Sequence, residues 1–439
     1  MTTSDDSHPI VSGSEEPLAH EPALPPAPRR HRLLGLLHPQ TSRGRTALML
    51  GNIFALWLAY VVVIETAAES LKKALLRPLR WAPGVNERYI AIADPAAKIP
   101  PLARWDSIWF QCIAHQGYTG TDTRGSPWPG HARNKAFRPV FLPLYPATMR
   151  LGAALGGTDY LRAGLWVSRL ALLATLVMLW LYRQGTRGPQ DSPMASMVTL
   201  LSFPAGFILV SVYSESLFLA LALASFLLTH RRHHAAAAVA AFLAPLTRIN
   251  GLALVPALAI LGWQQWRRDG ERVRAFAPAF GAMLGMIAMM AFYDWQLGDP
   301  LAYLHCKAEH WGTGISWPWE SLGKGLVRAW MAVRQPELGS VYTALEPVCA
   351  ALVLVAVVGL SIQRRWAEAV FTLGSASMVF VSGSLWGMPR FTIILFPVFL
   401  WLADLSKKSL LAWVVYICAC LGGQAAVLAV FVAMRQPPP

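Results

Sequence analysis

Asp106, Glu215, Arg248 and Arg390 are the residues of this 439-residue chain whose types and settings suit chemistry, because each puts a charge into apolar sequence. Asp106 is followed at helical spacing by Trp109, Phe110 and Ile113, and Gly117 is a stop signal. A short helix there would set a carboxylate beside aromatic and aliphatic surface. Asp106 is then either the N-cap of that helix or a proton acceptor. Glu215 lies in Ser211-Val212-Tyr213-Ser214-Glu215-Ser216-Leu217-Phe218, which joins two apolar runs without a loop. It either complements the dipole of a helix capped by Ser214 or serves a site. Arg248, in Pro245-Leu246-Thr247-Arg248-Ile249-Asn250-Gly251, is surrounded by apolar sequence. A desolvated guanidinium is costly unless paired, so Arg248 calls for a carboxylate such as Glu215 or a phosphate. Arg390, in Trp386-Gly387-Met388-Pro389-Arg390-Phe391, either snorkels to headgroups or grips a phosphate.

The elements that must position these groups are membrane helices. Hydrophobic residues make up 55% of the chain and charged ones 14%, where soluble domains carry about 25% charged. Mean hydropathy is +0.41. The net charge of +14 fits basic cytoplasmic loops and anionic lipid, and no nucleic-acid-binding motif accompanies it. Five scattered cysteines suit neither a disulfide scaffold nor a metal site.

Residues 1–44 read as a disordered cytoplasmic tail, rich in Pro, Ser and Glu and closed by a basic cluster. Residues 45–434 read as one all-α transmembrane domain. Its expected spans are about 45–66, 160–182, 193–212, 214–230, 235–248, 249–264, 273–294, 340–361, 366–384, 390–404 and 409–433. Residues 136–155 are apolar but carry Pro139, Pro143 and Pro146, so they are expected to form a re-entrant or interfacial element. Counting that element as non-spanning puts Arg183/Arg187, Arg231/Arg232, Arg267/Arg268, Arg364/Arg365 and Lys407/Lys408 on the side of the tail. The charge rule therefore gives about eleven spans, N-terminus inside and C-terminus outside. Two outer loops result, 67–136 and 295–339, the first opening on an amphipathic surface helix over about 67–82. No inverted or parallel repeat is visible.

The second outer loop interleaves aromatics with polar groups, from Tyr293 through His305, Glu309, His310 and Trp311 to Trp319. That pattern suits an interfacial aromatic belt or stacking on a sugar ring. His305, Glu309 and His310 lack a further well-spaced ligand, so no metal is indicated. No phosphate-binding glycine loop or hydrolase motif occurs, so a donor group must arrive preactivated on a lipid.

In order and spacing, several stretches resemble the PIG-V-like mannosyltransferases, relatives of the second mannosyltransferase of GPI-anchor assembly. They are Arg104-Trp105-Asp106 through Gln116-Gly117-Tyr118, Phe141-Leu142-Pro143-Leu144-Tyr145-Pro146, Val212 to Phe218, Thr247 to Gly251, Gly298-Asp299-Pro300-Leu301-Ala302, and Pro389-Arg390-Phe391. The resemblance covers roughly residues 100–400. It implies a GT-C glycosyltransferase fold, a polyprenyl-phosphate-mannose donor, a lipid- or glycan-linked acceptor, and a site on the outer face of what reads as a bacterial plasma membrane. It also implies that Asp106 is catalytic, here as general base of an inverting transfer. Arg104, Trp105, Gln116, Tyr145, Glu215, Arg248, Asn250, Trp311 and Arg390 are the expected substrate-binding side chains. No cofactor is called for. The rival classes are a lipid or glycolipid transporter (a flippase) and a non-catalytic subunit of a glycosylation complex. A transporter predicts polar groups along a path through the midplane and usually internal repeats.

Overall fold

The computed structural model describes residues 42–75, 99–121, 135–187, 193–270, 273–310, 314–334 and 339–433. Among these the chain is all-helical, with no strand. Contacts divide the chain into Met1–Asn52 and Ile53–Pro439. The described part of the first unit is the opening of helix α1 (Ser42–Leu75), and every other element belongs to the second.

Among the described residues, five helices are long and apolar enough to cross a membrane: α1, α4 (Tyr160–Arg187), α9 (Ala277–Leu297), α12 (Ser340–Ile362) and α17 (Leu410–Ala433). The expected surface helix over 67–82 is not a separate element as far as Leu75. Ala67, Ala68, Glu69, Leu71 and Lys72 are strong helix formers, and α1 runs through them unbroken. Residues 76–82 lie outside the described residues.

Other apolar stretches are shorter or interrupted. Helix α5 (Pro193–Ser202) stops ahead of Pro204 and resumes as a 3-10 turn, Gly206–Val210. Helix α6 (Glu215–His230) matches its expected bounds. Helix α7 (His234–Leu243) gives way to 3-10 turns at Ala244–Leu246 and Ile249–Ala253, and α8 (Leu254–Asp269) follows. Helix α10 (Ala302–His310) and the amphipathic α11 (Pro318–Arg334) occupy the expected second outer loop. Helix α13 (Trp366–Phe380) precedes α14 (Met388–Ile393) and α15 (Phe396–Ala403), so the stretch 390–404 is not one helix. A short α16 (Leu405–Lys408) leads to α17.

The proline-broken stretch behaves as its sequence dictates. It folds as a 3-10 turn, Lys135–Val140, and a 13-residue helix, α3 (Leu144–Gly156). At 1.5 Å per residue α3 is roughly 20 Å long, short of a bilayer core of about 30 Å. Helix α2 (Ser107–Gln116) packs on it, with Phe110 against the rings of Phe141 and Tyr145 at centroid distances of 5.2 and 4.8 Å.

The core is tied by close backbone approach and by aromatics. A Cβ at Gly281 or Gly285 of α9 would come within 2.3 Å of the Ala238 carbonyl oxygen or 2.1 Å of that of Phe242, both on α7. Small residues four apart let two helices meet in this way. Phe226, Phe371 and Phe396 form a buried triangle with centroids 5.2 to 5.7 Å apart, joining α6, α13 and α15.

Candidate functional site

The four charged residues singled out in the sequence meet in one network. Arg390 Nη1 donates to Asp106 Oδ2 at 2.6 Å. Its Nε and Nη2 reach Glu215 Oε1 at 2.9 and 2.8 Å. Arg248 Nη1 lies 3.0 Å from the same Oε1 and donates to Ser214 Oγ at 3.2 Å. Two carboxylates and two guanidiniums thus alternate, Asp106–Arg390–Glu215–Arg248. They come from the N-cap position of α2, from α14, from the first residue of α6, and from the extended residue between two 3-10 turns.

Local backbone chemistry explains how these segments come together. Ser107 Oγ donates to the Arg104 carbonyl at 2.7 Å and to the Val212 carbonyl at 3.0 Å. The Val212 amide donates to the Leu102 carbonyl at 3.1 Å. These bonds clamp the approach to Asp106 onto the approach to Glu215. Gly164 of α4 lets Val212 sit close, since a Cβ there would lie 2.8 Å from Val212 Cγ1. Ser168, one turn on, donates to the Tyr213 carbonyl at 3.0 Å. Gly251 folds over Pro245, with room for no Cβ, and fixes the tip carrying Arg248.

Both helix-cap readings give way to the ionic network. Asp106 holds the N-cap position of α2 but is αR and makes no capping bond. Ser214 likewise makes no cap and accepts from Arg248 instead. A guanidinium without a counter-charge at this depth costs more than a lost cap, which is typically about 1 kcal/mol. Trp105, just before Asp106, has φ of +55°, a left-handed conformation that a bulky side chain rarely adopts. Its indole N–H is buried and takes no hydrogen-bond partner among the described residues.

The network is closed on one side and open on the other. Glu215 is fully buried and Arg248 nearly so, while the side chains of Asp106 and Arg390 are 20% and 21% exposed. Among the described residues only Oδ2 of Asp106 is engaged. Glu215 Oε2 and Arg248 Nε are buried and make no hydrogen bond. Aromatic faces back both arginines, with Arg390 4.7 Å from the Tyr213 centroid and Arg248 5.3 Å from that of Phe391. A part-exposed carboxylate with one oxygen unengaged among the described residues, beside spare donors on a buried guanidinium, can take a hydroxyl proton and hold an anion.

Other expected substrate-binding residues sit elsewhere. Tyr145 is fully buried, and its hydroxyl donates to the Gly164 carbonyl at 3.1 Å and meets Ser168 Oγ at 2.8 Å. Gln116 accepts from Arg138 Nη2 at 3.0 Å. Asn250 Nδ2 donates to the Ser375 carbonyl at 3.0 Å, joining the Arg248 tip to α13. Arg104 and Trp105 flank Asp106 in the chain, and the Arg104 carbonyl serves the Ser107 bond. Trp311 lies outside the described residues. His305 bonds to Asp299 at 2.7 Å, and no three His, Cys, Asp or Glu residues gather as a metal site among the described residues.

The sequence reading passed over Tyr213, Ser214 and Phe391 as site residues. Ser214 and Phe391 each adjoin a charged member of the network and Tyr213 lies two residues from one, which was the available signal. No family model matches the chain, and no curated protein matches it.

Proposed function

We propose that this chain is a membrane glycosyltransferase of GT-C type. In this reading it moves a mannosyl or other hexosyl group from a polyprenyl phosphate to an acceptor hydroxyl on the non-cytoplasmic side. The observation that carries the proposal is the convergence of Asp106, Glu215, Arg248 and Arg390 from four distant segments, with one Asp106 oxygen unengaged. The resemblance of these same segments to PIG-V-like mannosyltransferases gives the reaction class.

The proposed step is a single inverting displacement. Asp106 takes the acceptor hydroxyl proton as that oxygen bonds to the anomeric carbon. The bond from the anomeric carbon to the phosphate oxygen breaks, and polyprenyl phosphate leaves with the electron pair. Arg248, held by Glu215 and with Nε to spare, stabilises the charge growing on the phosphate. Arg390 fixes the carboxylate of Asp106 for its role.

The proposed topology is about eleven crossings with the N-terminus inside. Its support is that α4 and α8 end in Arg187 and Arg267/Arg268, and that Arg231/Arg232 and Arg364/Arg365 follow α6 and α12 directly. The network sits at the opposite end of α6 from Arg231. That arrangement favours an enzyme over a transporter, whose polar groups would line a path through the midplane.

Purified protein incubated with polyprenyl-phosphate mannose and membrane acceptor lipids tests the reading. Transfer by the wild type and its loss in Asp106→Asn is the expected result. Donor translocation without transfer would establish the transporter instead. Transfer only with an added partner, unaffected by Asp106→Asn, would establish the non-catalytic subunit.

A further inference from the structure

A second polar concavity lies apart from the network. A cleft of about 780 Å³, a volume usual for small-ligand sites, opens between the end of α1, residues 99–101 and α4. Asp106, Glu215, Arg248 and Arg390 do not line it. Helix α4 separates the two places. Its Gly164 and Ser168 face Val212 and Tyr213, while Arg162, Trp166 and Arg169 point to the cleft from the far side of the same helix.

The cleft carries both signs of charge. Glu65, Glu69 and Lys72 follow one another at spacings of four and three, so α1 presents them on one face. Glu65 pairs with Arg169 at 3.1 Å, and Lys72 donates to the Ile99 carbonyl at 3.2 Å. Glu69 makes no hydrogen bond or ion pair among the described residues. Arg169 has a side chain only 8% exposed, and its Nε is buried without a hydrogen-bond partner. A buried donor left open in a cleft points to an absent acceptor. Arg162 adds an exposed guanidinium at the rim. Trp166 and Leu170 carry exposed apolar surface in the cleft lining.

We infer that this cleft binds the headgroup of an aminophospholipid, with its phosphate among Arg169, Arg162 and Lys72 and its ammonium on Glu69. A purely anionic headgroup would set its charge beside Glu69, which has no ion-pair partner among the described residues, and would leave that carboxylate unmatched. A quaternary ammonium has no N–H to donate to Glu69. A primary ammonium two carbons from a phosphate satisfies both ends, and the exposed apolar rim continues into its acyl chains.

Native mass spectrometry of the full-length chain in detergent tests this. Phosphatidylethanolamine, phosphatidylcholine and phosphatidylglycerol with matched acyl chains are added separately. The expected result is retention of phosphatidylethanolamine about fivefold over phosphatidylcholine, the ratio that one part-exposed ion pair supports. Glu69→Gln should bring that ratio near one, and Lys72→Met with Arg162→Gln should lower retention of all three lipids. Equal retention of phosphatidylethanolamine and phosphatidylcholine by the wild type would overturn the inference. So would the highest retention for phosphatidylglycerol, or a preference that survives Glu69→Gln. Asp106→Asn should keep the preference intact, so this result and that of the transfer assay are read separately.

Discussion

Helix α6 carries an ionic network at each end, and the two are built differently. At its first residue, Glu215 joins Arg390, Arg248 and Asp106. At its last, His230 lies 3.3 Å from the Tyr182 hydroxyl, which donates to Glu368 at 2.6 Å, and Arg365 grips Glu368 from three residues away. Fifteen helical steps put roughly 22 Å between these ends. Nearby, buried Arg183 reaches Asp404 at 3.2 Å and Ser196 at 2.5 Å. The Arg365 end is anchored by a local i,i+3 pair and a hydroxyl, with both charged side chains largely buried. At the Glu215 end the Arg390–Asp106 bond spans 284 residues of sequence, and both partners keep part of their surface open. A staple needs no opening. The second arrangement gathers charged groups from distant segments and leaves two of them part-exposed, as the proposed site requires.

Substitution at each end separates these roles. Asp106→Asn should lower transfer by about 10²–10⁴-fold, the usual contribution of a general base, while the detergent-solubilised protein melts near the wild-type temperature. Equal transfer by the variant and the wild type would remove the distinction between the two ends. Glu368→Ala should do the reverse. It strands Arg365 and the Tyr182 hydroxyl, and breaking a buried pair costs about 3–5 kcal/mol of stability. Transfer per folded molecule should be unchanged, measured by pairing activity with size-exclusion recovery after heating.

Arg390→Lys has a smaller expected effect, about 1.5–3 kcal/mol in transfer, from losing charged hydrogen bonds that an ammonium cannot make to two carboxylates at once. The kinetic signature should lie mostly in kcat, because Arg390 orients Asp106. A change confined to KM would instead make Arg390 a donor-binding group like Arg248.

That Arg248 needs a counter-charge was legible in the sequence, because it lies inside about thirty apolar residues, but Glu215 and a phosphate both answered that need. The bond from Arg390 to Asp106 was not legible. Nothing in Trp386–Phe391 fixes which way the side chain turns, and headgroups or phosphate satisfied it equally well. The bounds of α6 and the break at Pro139–Pro146 were readable from apolar runs and prolines. The interruption at Leu395, where α14 ends and α15 begins, has a weaker signal in Pro397. Tyr145 shows that a sequence motif does not say whether a side chain is buried in structural bonds. Its hydroxyl is spent on Gly164 and Ser168, which in turn hold Tyr213 beneath Arg390. Tyr145→Phe should therefore lose only about 1 kcal/mol of stability, with KM for donor unchanged.

The smallest effect concerns a pair outside both networks. Asp299 accepts from His305 Nδ1 at 2.7 Å and from the Leu301 amide at 2.9 Å, and this bonding, His305 first, holds its pKa below the ordinary carboxylate range. Because the folded pKa is the lower one, the pair adds stability above the unfolded value of about 4. That contribution fades as pH falls through the folded value. His305→Ala should thus lower the melting temperature slightly at neutral pH, with the two profiles converging below about pH 4. The pair is exposed and open to screening, so 0.5 M salt should mask most of the difference. If His305→Ala instead cost as much as Glu368→Ala at neutral pH, burial would not be what separates the α6 networks from ordinary surface pairs, and the contrast between a closed staple and an open site would lose its physical basis.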